Sequence, residues 1–140
     1  MRTLVVDASV VAGLFFEEPH SRAIERCLRQ ADDLLAPDLI WAEIANVIWK
    51  RHRRGELSQE DAMGIAAEVA KLPLQSYDAH DLMPDALQLA MRFDRSVYDS
   101  LYLALAVRTR SVLVTADKRL AKALDKTPVA KHISWIGASR

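Results

Sequence analysis

Residues 3–7, TLVVD, and residues 112–117, VLVTAD, decide the fold of this chain. Each stretch is a short apolar run that leads to an acidic residue, Asp7 in the first and Asp117 in the second. Runs of this kind are typical of strands that are buried on both faces of a parallel sheet. Ligands bind at the carboxyl ends of the strands in open α/β sheets, so both acids are predicted to lie at a binding edge.

Between and around these strands, short apolar runs alternate with longer amphipathic stretches, which indicates the α/β class. Further strands are predicted at residues 34–36, 74–77 and 132–136. Asp38 is predicted to cap a long helix that runs to residue 54 and ends at Gly55. Ser58 is predicted to cap the next helix. The remaining helices are predicted over residues 9–16, 21–31, 82–93, 98–109 and 117–124.

Length and composition limit the protein class. The 140 residues, 51% of them hydrophobic, predict one domain over residues 1–140 with its own core. Basic and acidic residues number 19 each, so composition does not indicate a basic surface, and any contact with nucleic acid must be local. The single Cys27 excludes an internal disulfide and fits a reducing cytoplasm. No run of about 18 apolar residues occurs, so no membrane span is predicted.

Two further acidic residues lie on the apolar faces of predicted helices. Glu43 falls at the margin of the stripe on the long helix, and Asp99 opens a stripe that continues with Tyr102. Each acid also has an ordinary explanation. Glu43 could reach solvent or pair with an arginine, Asp99 and Asp117 could cap helices, and Asp7 could lie in a strand-end turn. Because four acids in four segments are harder to explain separately, they predict a carboxylate cluster for a divalent metal.

A cluster of carboxylates without histidine or cysteine suits Mg²⁺ and Mn²⁺, which prefer oxygen ligands. One or two such ions can generate a hydroxide and stabilise a leaving oxygen, so hydrolysis of a phosphodiester is the simplest reaction. Asp7 and Asp99 are predicted as central ligands, and Glu43 as a ligand or as the residue that positions the attacking water. Asp117 is predicted to act directly or through water.

Four segments closely resemble the motifs of PIN-domain ribonucleases and, more narrowly, of the VapC toxins. They are VDASV at 6–10, WAEIANV at 41–47, VYDSLYLALA at 97–106 and VTADKRL at 114–120. The resemblance implies a three-layer α/β/α sandwich whose central sheet has four or five mostly parallel strands. It implies that Asp7, Glu43, Asp99 and Asp117 bind the metal of an Mg²⁺-dependent endoribonuclease, with Mn²⁺ able to substitute. Small hydroxyl groups often lie beside such a site, and Ser9 and Thr115 match those positions.

The same resemblance implies partners: an RNA substrate such as tRNA or rRNA, a VapB-like antitoxin, and a second copy in a homodimer. Lys118 and Arg119, next to Asp117, are the candidates for contacts with RNA phosphates. Trp41, Ala45 and Trp49 give the long helix a second apolar face, which fits either core packing or an interface.

Three alternatives remain open. A receiver-like phospho-acceptor also uses acids at strand ends and Mg²⁺, but it does not need Glu43 in the middle of a helix. An interaction domain without catalysis would keep the fold and tolerate loss of the acids. A PIN nuclease of RNA processing, or one that cuts DNA, would use the same four acids outside a toxin system.

Overall fold

A computed structural model describes residues 2–138 of the chain. Five strands, β1 to β5, span Thr3–Val6, Asp33–Pro37, Leu74–Tyr77, Val112–Thr115 and Ile133–Trp135. They form one sheet in the order β3-β2-β1-β4-β5, and every pair of neighbours is parallel. The predicted α/β class and mostly parallel sheet are therefore confirmed, with five strands.

Seven helices connect the strands. Helices α1 to α7 span Ala8–Phe15, Ser21–Arg29, Leu39–Arg53, Gln59–Val69, Ala79–Phe93, Val97–Arg108 and Lys118–Leu124. Two 3₁₀ turns, Ala130–His132 and Ile136–Ala138, flank β5 and shorten the strand predicted at 132–136. None of the helices within residues 2–138 combines the length and the apolar character needed to cross a membrane.

The path of the chain explains the layers. It moves from β1 outward to β2 and β3, and then returns past β1 to β4 and β5. Because such crossovers are right-handed, helices of the outward and the return path cover opposite faces of the sheet. On one face, Val6, Leu34 and Leu74 line a cavity with Val11 of α1 and Leu28 of α2. Helix α6 packs on β1, β2 and β4. The predicted three-layer sandwich is confirmed.

Helix α6 is enclosed over most of its length. Residues 100–106 are all buried, between the sheet and the packed helix α5. A helix that is apolar all round is stable only when it is surrounded in this way. The backbone that carries Asp99 and Tyr102 is therefore held by the core on several sides.

Asp38 occupies the predicted N-cap position of α3, but it does not cap the helix with its side chain. Asp38 Oδ1 instead accepts a hydrogen bond from the N–H of Ala79, 3.1 Å away, at the start of α5. This is possible because Pro37 and Tyr77 are paired at the ends of β2 and β3. Helix α5 accordingly begins at Ala79, three residues before the predicted start.

Other predicted helix ends are confirmed. Ser58 Oγ accepts a hydrogen bond from the N–H of Asp61 at 3.0 Å, as a capping residue does. Gly55, just after α3, has φ 81°, a conformation that glycine adopts without steric cost. Helix α6 begins one residue earlier than predicted, because Ser96 caps it.

Candidate functional site

Asp7 and Asp117 lie at the carboxyl edge of the two central strands. Strands β1 and β4 are neighbours, with Val6 beside Val114. The chain leaves β1 in one direction along the sheet and reaches β4 from the other, so the order of strands reverses between them. This reversal opens the crevice at which parallel sheets bind ligands.

Asp7 is the N-cap of α1 and is also held by a neighbouring hydroxyl. Its Oδ1 accepts hydrogen bonds from the N–H of Val10 at 3.2 Å and from Ser9 Oγ at 2.5 Å. Burial nevertheless raises the pKa of Asp7 from 3.8 to about 6, and the charge of Asp99 contributes in the same direction. The surrounding residues therefore do not compensate for the loss of water around Asp7, and its carboxylate ionises less readily than it would in water.

Ser9 and Thr115 connect the ends of β1 and β4. Ser9 Oγ accepts a hydrogen bond from the N–H of Ala116 at 3.0 Å and lies 3.5 Å from Thr115 Oγ1. Thr115, which is fully buried, accepts the N–H of Asp117 at 3.0 Å. Both hydroxyls therefore orient the loops that carry the acids, and their predicted contact with substrate stays a prediction.

Asp117 is exposed and caps α7. Its Oδ1 accepts hydrogen bonds from the N–H groups of Arg119 at 3.0 Å and Leu120 at 3.2 Å. Asp117 therefore does cap a helix, which was the ordinary explanation for its position. Capping uses one carboxylate oxygen and leaves Oδ2 without a hydrogen bond to any residue within 2–138.

Asp99 is half-buried and is the residue that links the four acids. It does not cap α6, because that role belongs to Ser96, whose Oγ accepts the N–H of Asp99 at 3.0 Å. Burial raises the pKa of Asp99, and the charge of Asp117 raises it further. The charge of Asp99 in turn raises the pKa values of Asp7 and Glu43. Asp99 is therefore electrostatically coupled to each of the other three acids.

Glu43 is half-buried on α3 and has an unexpected partner. The hydroxyl of Tyr102, on α6, donates a hydrogen bond to Glu43 Oε1. Burial raises the pKa of Glu43, the bond from Tyr102 lowers it, and the charge of Asp99 raises it. Neither ordinary explanation, an arginine partner or full exposure to solvent, describes this side chain.

The donor set fits a hard divalent cation. Several carboxylates with raised pKa values repel one another, and a cation placed among them would relieve that repulsion. Within residues 2–138, no three aspartate, glutamate, histidine or cysteine side chains are arranged so that together they could hold a metal ion. Mg²⁺ commonly takes only one or two carboxylates and keeps several waters, so it does not require a closed protein cage.

The predicted phosphate contacts have different surroundings. Lys118 Nζ lies 5.0 Å from the centre of the Trp135 ring, within the range of a cation–π contact. The side chain of Arg119 is exposed at the start of α7. A further cation, Arg95, lowers the pKa of Asp99 and was not anticipated from the sequence.

A match to a protein-family model shows which family the chain belongs to. Residues 4–126 match the model of the PIN domain, a span that includes all four acids. The chain belongs to the PIN-domain family.

Individual relatives of this PIN domain carry more specific names. "Ribonuclease VapC3" of Pyrobaculum aerophilum is 37% identical over 121 residues, which cover 85% of this chain and 92% of the relative. The crystal structure of PAE2754 from the same organism aligns with TM-score 0.71 at 19% identity and covers 98% of this chain and 91% of that one. A toxin–antitoxin complex from Klebsiella pneumoniae aligns with TM-score 0.63 at 16% identity, over 94% of this chain and 95% of that one. The two structures show the shared fold.

Sequence reasoning missed the polar role of Tyr102 in this PIN domain. It treated Tyr102 as an apolar member of the stripe that Asp99 opens. Its position three residues after Asp99 did place it on the same helix face. That spacing would have indicated a residue beside the site, but not its bond to Glu43 on another helix.

Proposed function

We propose that this PIN domain is an Mg²⁺-dependent endoribonuclease that hydrolyses RNA phosphodiester bonds and is the toxin of a VapBC-type pair. The proposal is supported by the position of Asp7 and Asp117 at the carboxyl ends of β1 and β4, where the strand order reverses, and by the electrostatic effects that connect Asp99 with Asp7, Glu43 and Asp117. The similarity to a named VapC ribonuclease over most of both chains supports the choice of RNA as the substrate.

We assign each of the four acids a role according to its environment. Asp7 and Asp99 would hold the metal, because Asp7 follows the central strand β1 and the charge of Asp99 raises its pKa. Asp117 would add a ligand directly or through water. When bound, the ion would supply a Lewis acid for the phosphate and lower the pKa of an attacking water. Mn²⁺ would substitute for Mg²⁺, because both accept carboxylate oxygens.

Glu43 is suited to hold the attacking water. One of its oxygens, Oε1, is bound by Tyr102. The other, Oε2, makes no hydrogen bond to any residue within 2–138 and can accept a proton from water. The raised pKa of Glu43 makes it a better proton acceptor than an exposed glutamate.

Contacts with RNA would be local, because the chain carries no net charge. Lys118 and Arg119 begin α7 beside Asp117, and Arg95 lies close enough to Asp99 to influence its charge. These three side chains could bind phosphates on either side of the bond to be cut. Phosphate contacts give affinity without sequence preference, so a choice of tRNA or rRNA would depend on the shape of the groove and on unstacked bases.

The antitoxin would bind an apolar groove between α3 and α4. The groove is lined by Ala45, Ile48, Trp49, His52, Gln59, Ala62, Met63 and Ala66. Trp49 is 51% and Met63 66% exposed, whereas Trp41 packs partly buried against the core. The lining contains no acidic, lysine or arginine side chain, so it suits an apolar segment of a VapB-like partner.

A second copy of the chain would cover the outer face of α5. Met83, Leu87 and Met91 are all exposed there and are spaced four residues apart, so they form one stripe along the helix. A stripe of this kind can pack against its own symmetry copy in a homodimer. The mass of the purified protein by light scattering, for wild type and Leu87→Glu, tests this assignment.

Cleavage of a pool of cellular RNAs, followed by mapping of the new ends, tests the proposed activity. We expect cuts at one dominant tRNA or rRNA site in Mg²⁺ or Mn²⁺, and none in chelator. Addition of single-stranded and duplex DNA to the same assay distinguishes a DNA nuclease. Absence of any metal-dependent cut in RNA or DNA would favour an interaction domain without catalysis.

A further inference from the structure

Tyr102 is one of the few polar side chains in the core of this protein. The residue is only 2% exposed and lies on α6, one turn after Asp99. A buried hydroxyl without a partner costs free energy, so the phenol must be bonded within the protein. Its partner is Glu43 Oε1 on α3. This bond joins the two helices that carry two of the four acids.

The chemistry of the bond distinguishes it from an ion pair. A phenol has an ordinary pKa of about 10, so it donates a proton without bringing a positive charge. A lysine or arginine in the same place would neutralise Glu43 and compete with a cation for it. Tyr102 therefore fixes the carboxylate and leaves the negative charge of the site available.

The bond also restricts a flexible side chain. Glutamate has three rotatable side-chain bonds, and its ordering costs conformational entropy. With Oε1 held by a residue that the core itself holds, Oε2 remains as the free oxygen of Glu43. Residues that hydrogen-bond to a metal ligand and fix its orientation contribute to metal affinity, and their mutation typically lowers that affinity by roughly 10- to 100-fold.

We propose that Tyr102 is a positioning residue, which holds Glu43 so that Oε2 faces a divalent metal ion or the water that attacks the RNA. This inference rests on the proposed function and adds to it a residue outside the acidic cluster. Tyr102 acts only through Glu43.

Tyr102→Phe removes the hydroxyl and keeps the ring that fills the core. We expect Mn²⁺ affinity, measured by electron paramagnetic resonance of the free ion, to fall by about tenfold. We also expect kcat for RNA to fall at saturating Mn²⁺ while KM for RNA stays unchanged. Tyr98→Phe is the matched control, because Tyr98 is on the same helix next to Asp99 but is 63% exposed. It should leave both quantities as in wild type.

Two further variants separate positioning from packing. Incorporation of 4-aminophenylalanine at position 102 replaces the hydroxyl with an uncharged amino group, which can also donate a hydrogen bond to Glu43. This variant should restore Mn²⁺ affinity. In the background of Glu43→Gln, Tyr102→Phe should cause no further loss of Mn²⁺ affinity, because the two residues act as one unit. If Tyr102→Phe does not fold, 4-fluorophenylalanine fills the space of the hydroxyl without donating and takes its place in the test.

The outcomes are distinguishable from failure of the proposed function. Wild-type Mn²⁺ affinity and kcat in a folded Tyr102→Phe protein would overturn the role of Tyr102 and leave the nuclease proposal standing. A lower free energy of unfolding for Tyr102→Phe with unchanged Mn²⁺ affinity would also overturn the role of Tyr102, because it would show that the residue contributes only to packing. A wild-type protein that binds no Mn²⁺ and cuts no RNA would overturn both proposals.

Discussion

The hydroxyl of Ser9 donates a hydrogen bond to the carboxylate of Asp7 across 2.5 Å. The same oxygen accepts the N–H of Ala116 at 3.0 Å, so one small side chain joins the carboxyl ends of β1 and β4. The bond also lowers the pKa of Asp7, against the larger effect of burial. Ser9 therefore links the stability of the sheet edge to the charge of the site.

Ser9→Ala should lower the free energy of unfolding by about 1–2 kcal/mol, because the N–H of Ala116 loses its partner in a partly buried place. It should also weaken Mg²⁺ binding, since Asp7 becomes harder to ionise. Urea unfolding in chelator and in Mg²⁺ measures both effects. Ser76→Ala, at an exposed position on β3, is the control. Equal stabilities for Ser9→Ala and wild type would show that the bridge is not needed.

Asp99→Asn should separate catalysis from folding. It keeps the shape of the side chain and removes one of several repelling charges, so apo stability should be unchanged or higher by on the order of 1 kcal/mol. Metal-dependent RNA cleavage should be lost, and added Mg²⁺ should stabilise wild type more than the variant. Thermal unfolding in chelator and in Mg²⁺, beside a cleavage assay, measures this.

Asp125→Asn, at the exposed end of α7, makes the same change of charge and should leave cleavage intact. If Asp99→Asn instead unfolds the protein in chelator, Asp99 has a structural role and does not belong to the site.

The stability of the metal-free protein should decrease as the pH rises from about 4 to about 6. The pKa of Asp7 is about 6 in the folded state and 3.8 as its ordinary value. The folded protein therefore binds more protons than the unfolded chain between these values, and its stability falls as they are released. The contribution is fully present below pH 3.8 and is lost as the pH passes about 6. The difference between wild type and Asp7→Asn in urea isolates this group.

Mg²⁺ should reverse the trend, because it binds the ionised carboxylates and so stabilises the folded state more as the pH rises. A wild-type minus Asp7→Asn difference that is constant with pH in chelator would contradict the raised pKa.

The positions of the two acids at strand ends could be predicted from the sequence. Asp7 and Asp117 had to approach each other once β1 and β4 were parallel neighbours, since the carboxyl ends of parallel strands share an edge. Glu43 and Asp99 were indicated as candidates for the site because burying a carboxylate at an apolar helix face costs free energy unless it has a partner.

Contacts between distant elements could not be predicted. A local capping rule assigned Asp38 to the helix that follows it, but the hydrogen-bond partner of its side chain is Ala79 at the start of α5, 41 residues further along the chain. The partner of Glu43 was equally invisible, because helical periodicity does not tell which helix lies opposite. The exposed stripe of α5 has the same spacing as a buried one, so the sequence alone could not show that it faces outward.

Trp49→Glu should abolish binding of the antitoxin and keep RNA cleavage. In the complex, the carboxylate would replace the apolar indole ring against the bound segment and would lose water, so an apolar segment should no longer bind there. Expression of the wild-type chain should inhibit growth, and coexpression with the small protein encoded beside it should relieve the inhibition. The Trp49→Glu chain should inhibit growth in both cases.

Val107→Glu, at an exposed apolar position of α6 outside both proposed interfaces, is the control, and its growth inhibition should still be relieved by the partner. A wild-type chain that is harmless at high expression with all four acids intact would count against the toxin assignment.

The central claim is that Asp7, Glu43, Asp99 and Asp117 together hold a divalent cation. Anomalous diffraction from crystals soaked in Mn²⁺ tests it most directly. We predict a peak at the carboxyl edge of β1 and β4, with carboxylate oxygens of Asp7 and Asp99 within roughly 2.3 Å of the ion. The peak should be absent from Asp99→Asn crystals. No peak at saturating Mn²⁺, or a peak bound only by other residues, would contradict the account.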